Sequence, residues 1–168
     1  MVIMGIDASL SSTGYSVLTI FDNSDIRGEI TKCGVIQTKK GDFENEDSRI
    51  FHICKELAKI MLSNNVTQVV IEEQFMARNS RTVLSLRKML GAIMYLVYEM
   101  GLDLDYLYPT SVRKLLLNDG KAKKEDVAKY IRENVIDIGE YSDKAGKNKT
   151  SDIYDATALA LAYDKKIQ

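Results

Sequence analysis

Residues 2–20 read VIMGIDASLSSTGYSVLTI, and this stretch decides the fold. An apolar run from Val2 to Ile6 stops at Asp7. It is too short for a helix of ordinary length and reads as a mostly buried strand. It has no basic stretch before it, so it does not read as a signal peptide. Ala8 to Gly14 is rich in Ser, Thr and Gly and carries turn chemistry. Tyr15 to Ile20 returns as a second strand, Asp22-Asn23-Ser24 turns again, and Ile30 to Thr38 alternates as a third. Three strands in succession on short connections predict an antiparallel meander.

Beyond it the periodicity changes. Lys39 to Asn45 is a polar loop, then Ile50, Ile53, Cys54, Leu57, Ile60 and Met61 recur at helical spacing until Asn64-Asn65. Thr67 to Glu73 is β-branched and reads as a buried parallel strand ending in two acids. A long helix is predicted from Arg81 to Met100, closed by Gly101. Its apolar residues cover more than one side, which predicts burial against the sheet plus a partner surface. Leu102 to Leu107 is a fifth strand, Pro109 opens a short helix, and Lys124 to Val135 forms another. Ile136 to Lys149 is a polar loop, and Thr150 to Tyr163 is an alanine-rich final helix. The order β-β-β-α-β-α-β-α-α-α resembles a ribonuclease H-like layout. The expected class is α/β, with a mixed five-stranded sheet, three antiparallel strands and then parallel crossovers, and helices on both faces.

Composition narrows the function. A chain of 168 residues with 45% hydrophobic content can bury one core but not two large ones, and no linker or repeat divides it. One domain spanning residues 1–168 is expected. No apolar run approaches the roughly 20 residues that span a bilayer. Cys33 and Cys54 are the only cysteines and His52 the only histidine, so zinc sites and Ser-His or Cys-His catalysis have little to work with. The thiols read as reduced cytosolic residues. The net charge is −1, yet Phe75 to Arg132 holds eleven basic and six acidic residues, and the rest holds twelve basic and eighteen acidic. One face suits an anionic partner.

Four carboxylates stand where buried elements begin or end. Asp7 closes the first strand, and Glu72, followed by Glu73, closes the fourth. Asp152 and Asp155 are three apart near the start of the last helix, on one helical face, with Thr150 or Ser151 as its N-cap. Singly, each reads as a cap or a solvated strand end. Together, at the carboxyl end of a parallel sheet, they describe a ligand site. Convergent acids repel one another, and a hard divalent cation relieves that repulsion. Oxygen-only donors suit Mg²⁺ or Mn²⁺, and a pair of such ions can hydrolyse a phosphodiester.

Three segments carry a resemblance. They are Gly5-Ile6-Asp7-Ala8-Ser9 with Thr13-Gly14-Tyr15, Val70-Ile71-Glu72-Glu73-Gln74-Phe75-Met76-Ala77-Arg78-Asn79, and Asp152-Ile153-Tyr154-Asp155-Ala156-Thr157-Ala158-Leu159-Ala160. A basic region, Ser111-Val112-Arg113-Lys114 and Gly120-Lys121-Ala122-Lys123-Lys124, lies between the last two. In this order they resemble the RuvC family of Holliday-junction resolvases, in a phage or prophage-like branch. The resemblance implies a homodimeric endonuclease that cuts four-way or branched DNA, leaving a 5′-phosphate and a 3′-hydroxyl. Asp7, Glu72, Asp152 and Asp155 would be its catalytic metal ligands, holding two Mg²⁺ or Mn²⁺ ions. The register of Phe75 and Asn79 favours Glu72 over Glu73. Phe75 would stack on bases, and Arg78, Arg113, Lys114, Lys121, Lys123 and Lys124 would contact DNA. The long second helix would form the dimer interface, and branch-migration machinery is a possible partner.

This chain departs from the family's pattern in two places. Ala8-Ser9 replaces Pro-Gly, and Arg113 replaces a common Lys. Arg keeps the charge and clamps phosphate but is no base. The ordinary readings are a core anchor for Phe75, a solvated helix start for Lys121, Lys123 and Lys124, and core filler for the Met residues. Two alternatives remain in view. One is a nuclease of this fold acting on RNA precursors or on branched DNA more broadly. The other is an actin-like ATP-binding phosphotransferase, suggested by Gly5-Ile6-Asp7 with Ser11-Ser12-Thr13-Gly14.

Overall fold

The computed structural model describes residues 1–21, 28–73, 81–135 and 150–168. The expected Ile136 to Lys149 loop, Phe75 and Arg78 lie outside these. The elements are β1 (Val2–Asp7), β2 (Ser12–Ile20), β3 (Gly28–Gln37), α1 (Glu46–Ser63), β4 (Gln68–Glu72), α2 (Arg81–Glu99), β5 (Asp103–Leu107), α3 (Pro109–Leu117), α4 (Lys124–Asn134) and α5 (Thr150–Ile167). The five strands form one sheet in the order β3-β2-β1-β4-β5. The meander is antiparallel, and β4 and β5 join it in parallel.

Alternation along β1 assigns the two faces. Ile3 belongs to a core with Val70, Leu107, Ile153 and Leu159, beneath α3, α4 and α5. Met4 and Ile6 belong to a second core with Val69, Ile71, Ile53, Leu57, Met89 and Ile93, beneath α1 and α2. Each fully buried Ile or Leu side chain contributes about 1.5–3 kcal/mol.

Glycine decides how closely α5 approaches. A Cβ on Gly5 would stand 2.0 Å from the Ala156 carbonyl oxygen, and one on Gly14 would stand 2.1 Å from that of Asp152. Ala156, Ala158, Ala160 and Ala162 are all buried on the helix side. At these two points backbone meets backbone, with no side chain between α5 and the strands.

Local chemistry explains the other boundaries. Asn45 caps α1 in a reciprocal box with Ser48, and α1 ends where Asn65 takes a positive φ of 53°. Gly101, at φ 67°, closes α2 as expected. Pro109 occupies the first turn of α3, and Asn118 ends it in the left-handed region. One expectation fails. Ser12, Thr13 and Gly14 are strand, not turn: they pair with Gln37, Ile36 and Val35 of β3, and Gly14 also pairs with Asp7. Partners on both sides override their turn propensity. Thr150 and Ser151 fall within the first turn of α5.

Candidate active site

Asp7 and Gly14 are paired across β1 and β2, and Asp7 shares its face with Gly5. The glycines admit α5, whose i, i+3 pair Asp152 and Asp155 turns toward β1. As a result Asp7, Asp152 and Asp155 each place a carboxylate oxygen within 4.8 Å of the others. Glu72 ends β4 on the same face as Val70 and so points to the α5 side, whereas strand alternation turns position 73 the other way. Glu72 is not part of the tight trio. It lines a cavity of about 240 Å³ together with Asp7, Asp155, Arg113, Lys124 and Pro109.

The electrostatics reflect crowding. Burial, reinforced by the charges of Asp155, Asp152 and Glu72, pushes the Asp7 carboxyl up to about 7, although Lys124 opposes the shift. Burial and Asp155 raise Glu72. Burial also raises Asp155, against the lowering effect of its hydrogen bond and charge interaction with Lys124. Burial pulls Lys124 down, but its bond to Asp155 and the charges of Asp155, Asp7 and Asp152 outweigh that and raise it. Such a cluster could hold a hard cation in place of protons. Three convergent oxygen donors, a fourth beside them and no nitrogen or sulfur ligand suit Mg²⁺ or Mn²⁺.

Supports for the site come from residues that sequence reasoning missed. The Ser12 hydroxyl donates to Asp152 Oδ2, and the Ser151 hydroxyl donates to Asp152 Oδ1 at 3.2 Å. The loop after Asp7 is held from α1. Arg49 donates to the Leu10 carbonyl at 2.9 Å and to Thr38 Oγ1 at 3.1 Å, while Thr38 Oγ1 also donates to that carbonyl. Thr13 Oγ1 donates to the Ser9 carbonyl at 2.7 Å. No short-range signal marks the Ser12 contact, since Ser12 and Asp152 are 140 positions apart.

The expected DNA-contact residues divide. Arg113 and Lys124 border the acidic cavity. Lys114, Lys121 and Lys123 are exposed and do not line it. Their neighbourhood on α3, α4 and the turn between them still gives this flank a positive charge.

The model of the family described as crossover junction endodeoxyribonuclease RuvC matches residues 3–163. The chain belongs to the RuvC family. Among RuvC proteins, that of Chlorobium phaeobacteroides is 30% identical over 96% of this chain and 80% of its own length. The Campylobacter concisus RuvC is 28% identical over 100% of this chain and 99% of its own. In fold, the chain superposes on the Thermus thermophilus RuvC structure with a TM-score of 0.80 at 24% identity, covering 99% of this chain and 95% of that one. The same RuvC in complex with Holliday junction substrate gives a TM-score of 0.78 at 22% identity, with the same coverage. The RuvC assignment agrees with the mixed five-stranded sheet and sets aside the phosphotransferase reading. Among the described residues, no helix is long and apolar enough to cross a membrane.

Proposed function

We propose that this RuvC-family chain resolves four-way DNA junctions at the cluster of Asp7, Glu72, Asp152 and Asp155. The observation that carries the reading is the convergence of three carboxylates from β1 and α5 within 4.8 Å, beside a cavity that also presents Glu72 and two cations. Asp7, Asp152 and Asp155 would hold divalent ions, with Glu72 completing the set for a second ion. When bound, such ions activate a water and stabilise the leaving oxygen of a phosphodiester.

The remaining work belongs to the chain. Arg113 offers a planar fork that grips two oxygens of the scissile phosphate, and Lys124 offers a mobile point charge. The acids hold the attacking water in line with the 3′-oxygen, which leaves as a hydroxyl and puts the phosphate on the 5′ side. Lys114, Lys121 and Lys123 would bind phosphates further along the arms, which makes affinity fall with salt. Phe75 and Arg78 are assigned base stacking and phosphate contact on the family resemblance.

Two symmetric cuts need two sites, and a homodimer supplies them. α2 exposes Leu84, Met94, Tyr95 and Tyr98, and neighbouring α1 exposes Phe51 and Leu62, both at 70%. This apolar surface lies on the sheet face opposite α5 and fits the interface expected on α2.

The test is cleavage of a mobile four-way junction with and without Mg²⁺, the products mapped to the nucleotide. Paired, symmetric nicks with 5′-phosphate ends support the reading. Equal rates on flaps, duplex DNA or structured RNA would replace it with a broader nuclease.

A further inference from the structure

The Lys124 ammonium pairs directly with Asp155 Oδ2. The lysine side chain is 54% exposed, and that of Asp155 is 19% exposed. A flexible, half-solvated cation therefore sits on a partly buried carboxylate that belongs to the convergent trio. The same two residues form the wall between two cavities. One is the acidic cavity with Asp7, Glu72 and Arg113. The other, of about 400 Å³, is lined by Arg132, Thr150, Ser151 and Tyr154 as well as Lys124 and Asp155. Lys124 and Asp155 are thus shared by both cavities.

A cation arriving at the trio meets this ammonium on the Asp155 carboxylate. The two positive charges repel, so opening the ion pair favours ligation by Asp155. A backbone phosphate entering the acidic cavity offers the ammonium an alternative anion. We propose that Lys124 is a placeholder cation, which yields Asp155 to a divalent ion most readily when a DNA phosphate takes its ammonium, so that metal loading and junction binding are coupled. By linkage the coupling is reciprocal: metal tightens DNA by the factor by which DNA tightens metal. This inference rests on the metal-site reading above.

The experiment is calorimetric titration of the full chain with Mn²⁺, alone and with a four-way junction carrying bridging-phosphonate linkages at the exchange point. These keep the negative charge but resist hydrolysis. In the unsubstituted protein the junction tightens Mn²⁺ by about tenfold or more. Lys124→Met and Lys124→Gln bind Mn²⁺ about three- to tenfold tighter than the unsubstituted protein when DNA is absent, because a nearby positive charge has gone. In both, the further tightening by the junction shrinks by a similar factor. If both variants bind Mn²⁺ no tighter than the unsubstituted protein, Lys124 serves to orient Asp155 and the hand-over is overturned. Asp7→Asn separates the two levels. If it leaves Mn²⁺ binding intact, the metal assignment fails and takes the hand-over with it. If it weakens Mn²⁺ while the Lys124 variants change nothing, the hand-over alone fails.

Discussion

The two faces of the sheet are built by different rules. Under α5 the backbones touch at Gly5 and Gly14, and buried alanines keep the helix close beside the larger side chains of that core. Under α1 and α2 it is side chain against side chain, through Ile53, Leu57, Met61, Met89, Ile93 and Val97. The first arrangement leaves little room for displacement, since a carbonyl cannot be repacked. It is also where charge is concentrated. The second can absorb volume changes by shifting rotamers, and its outer side carries an apolar stripe. A site that must hold like charges together is placed where the backbone leaves no slack.

The largest expected effect breaks the α5 side. Gly5→Ala places a methyl on the Ala156 carbonyl, so α5 must shift. A loss of about 3 kcal/mol or more is expected by chemical denaturation, with cleavage lost in the same variant. Gly91→Ala is its counterpart on α2, where an added Cβ meets nothing within 4 Å. A full loss of cleavage in Gly91→Ala, or none in Gly5→Ala, would end the contrast between the faces.

Asp7→Asn tests the charge stored on the α5 side. Cleavage should fall by about a thousandfold if metal catalysis passes through this ligand. Stability should move the other way. Asp7 holds its proton up to about 7, whereas an ordinary aspartate loses it near 3.8. Between those values the native state binds the extra proton, so the metal-free protein loses stability as pH rises through that window. Asn removes the loss. Metal-free Asp7→Asn should therefore gain about 2–4 kcal/mol at pH 8, and the gain should vanish near pH 4. Denaturation in EDTA at both pH values measures it.

Ser12→Ala sharpens the comparison on a smaller scale. It frees one oxygen of Asp152, and a hydrogen bond to a charged group contributes about 1.5–3 kcal/mol. Mn²⁺ affinity should drop about tenfold with junction affinity unchanged, and Ser12→Thr should restore part of the loss. The smallest effect belongs to α2. Gly91→Ala should stabilise the helix by about 0.5–1 kcal/mol and leave cleavage intact.

Much of this was legible in the chain. The strand patterns of Val2 to Asp7 and Thr67 to Glu73, the helical periods and the ends at Asn64, Gly101 and Pro109 all depend on residues close in sequence. The element order was readable for that reason. The turn expected at Ser12 to Gly14 was not a turn, because β3 and β1 pair with it and no local signal reports a neighbour across the sheet. The acids were visible as chemistry at element ends. Their mutual distances were not.

By itself, then, the sequence determined the kinds of elements, their order and the scarcity of histidine and cysteine, since each follows from local periodicity or composition. The tertiary structure alone decided that Asp7, Asp152 and Asp155 meet and that Glu72 stands beside them. It also decided that Ser12 anchors Asp152, that Lys124 occupies Asp155, and that Lys114, Lys121 and Lys123 stay outside the cavity. Those outcomes depend on contacts between residues far apart in the chain, set by how closely glycine lets one backbone approach another.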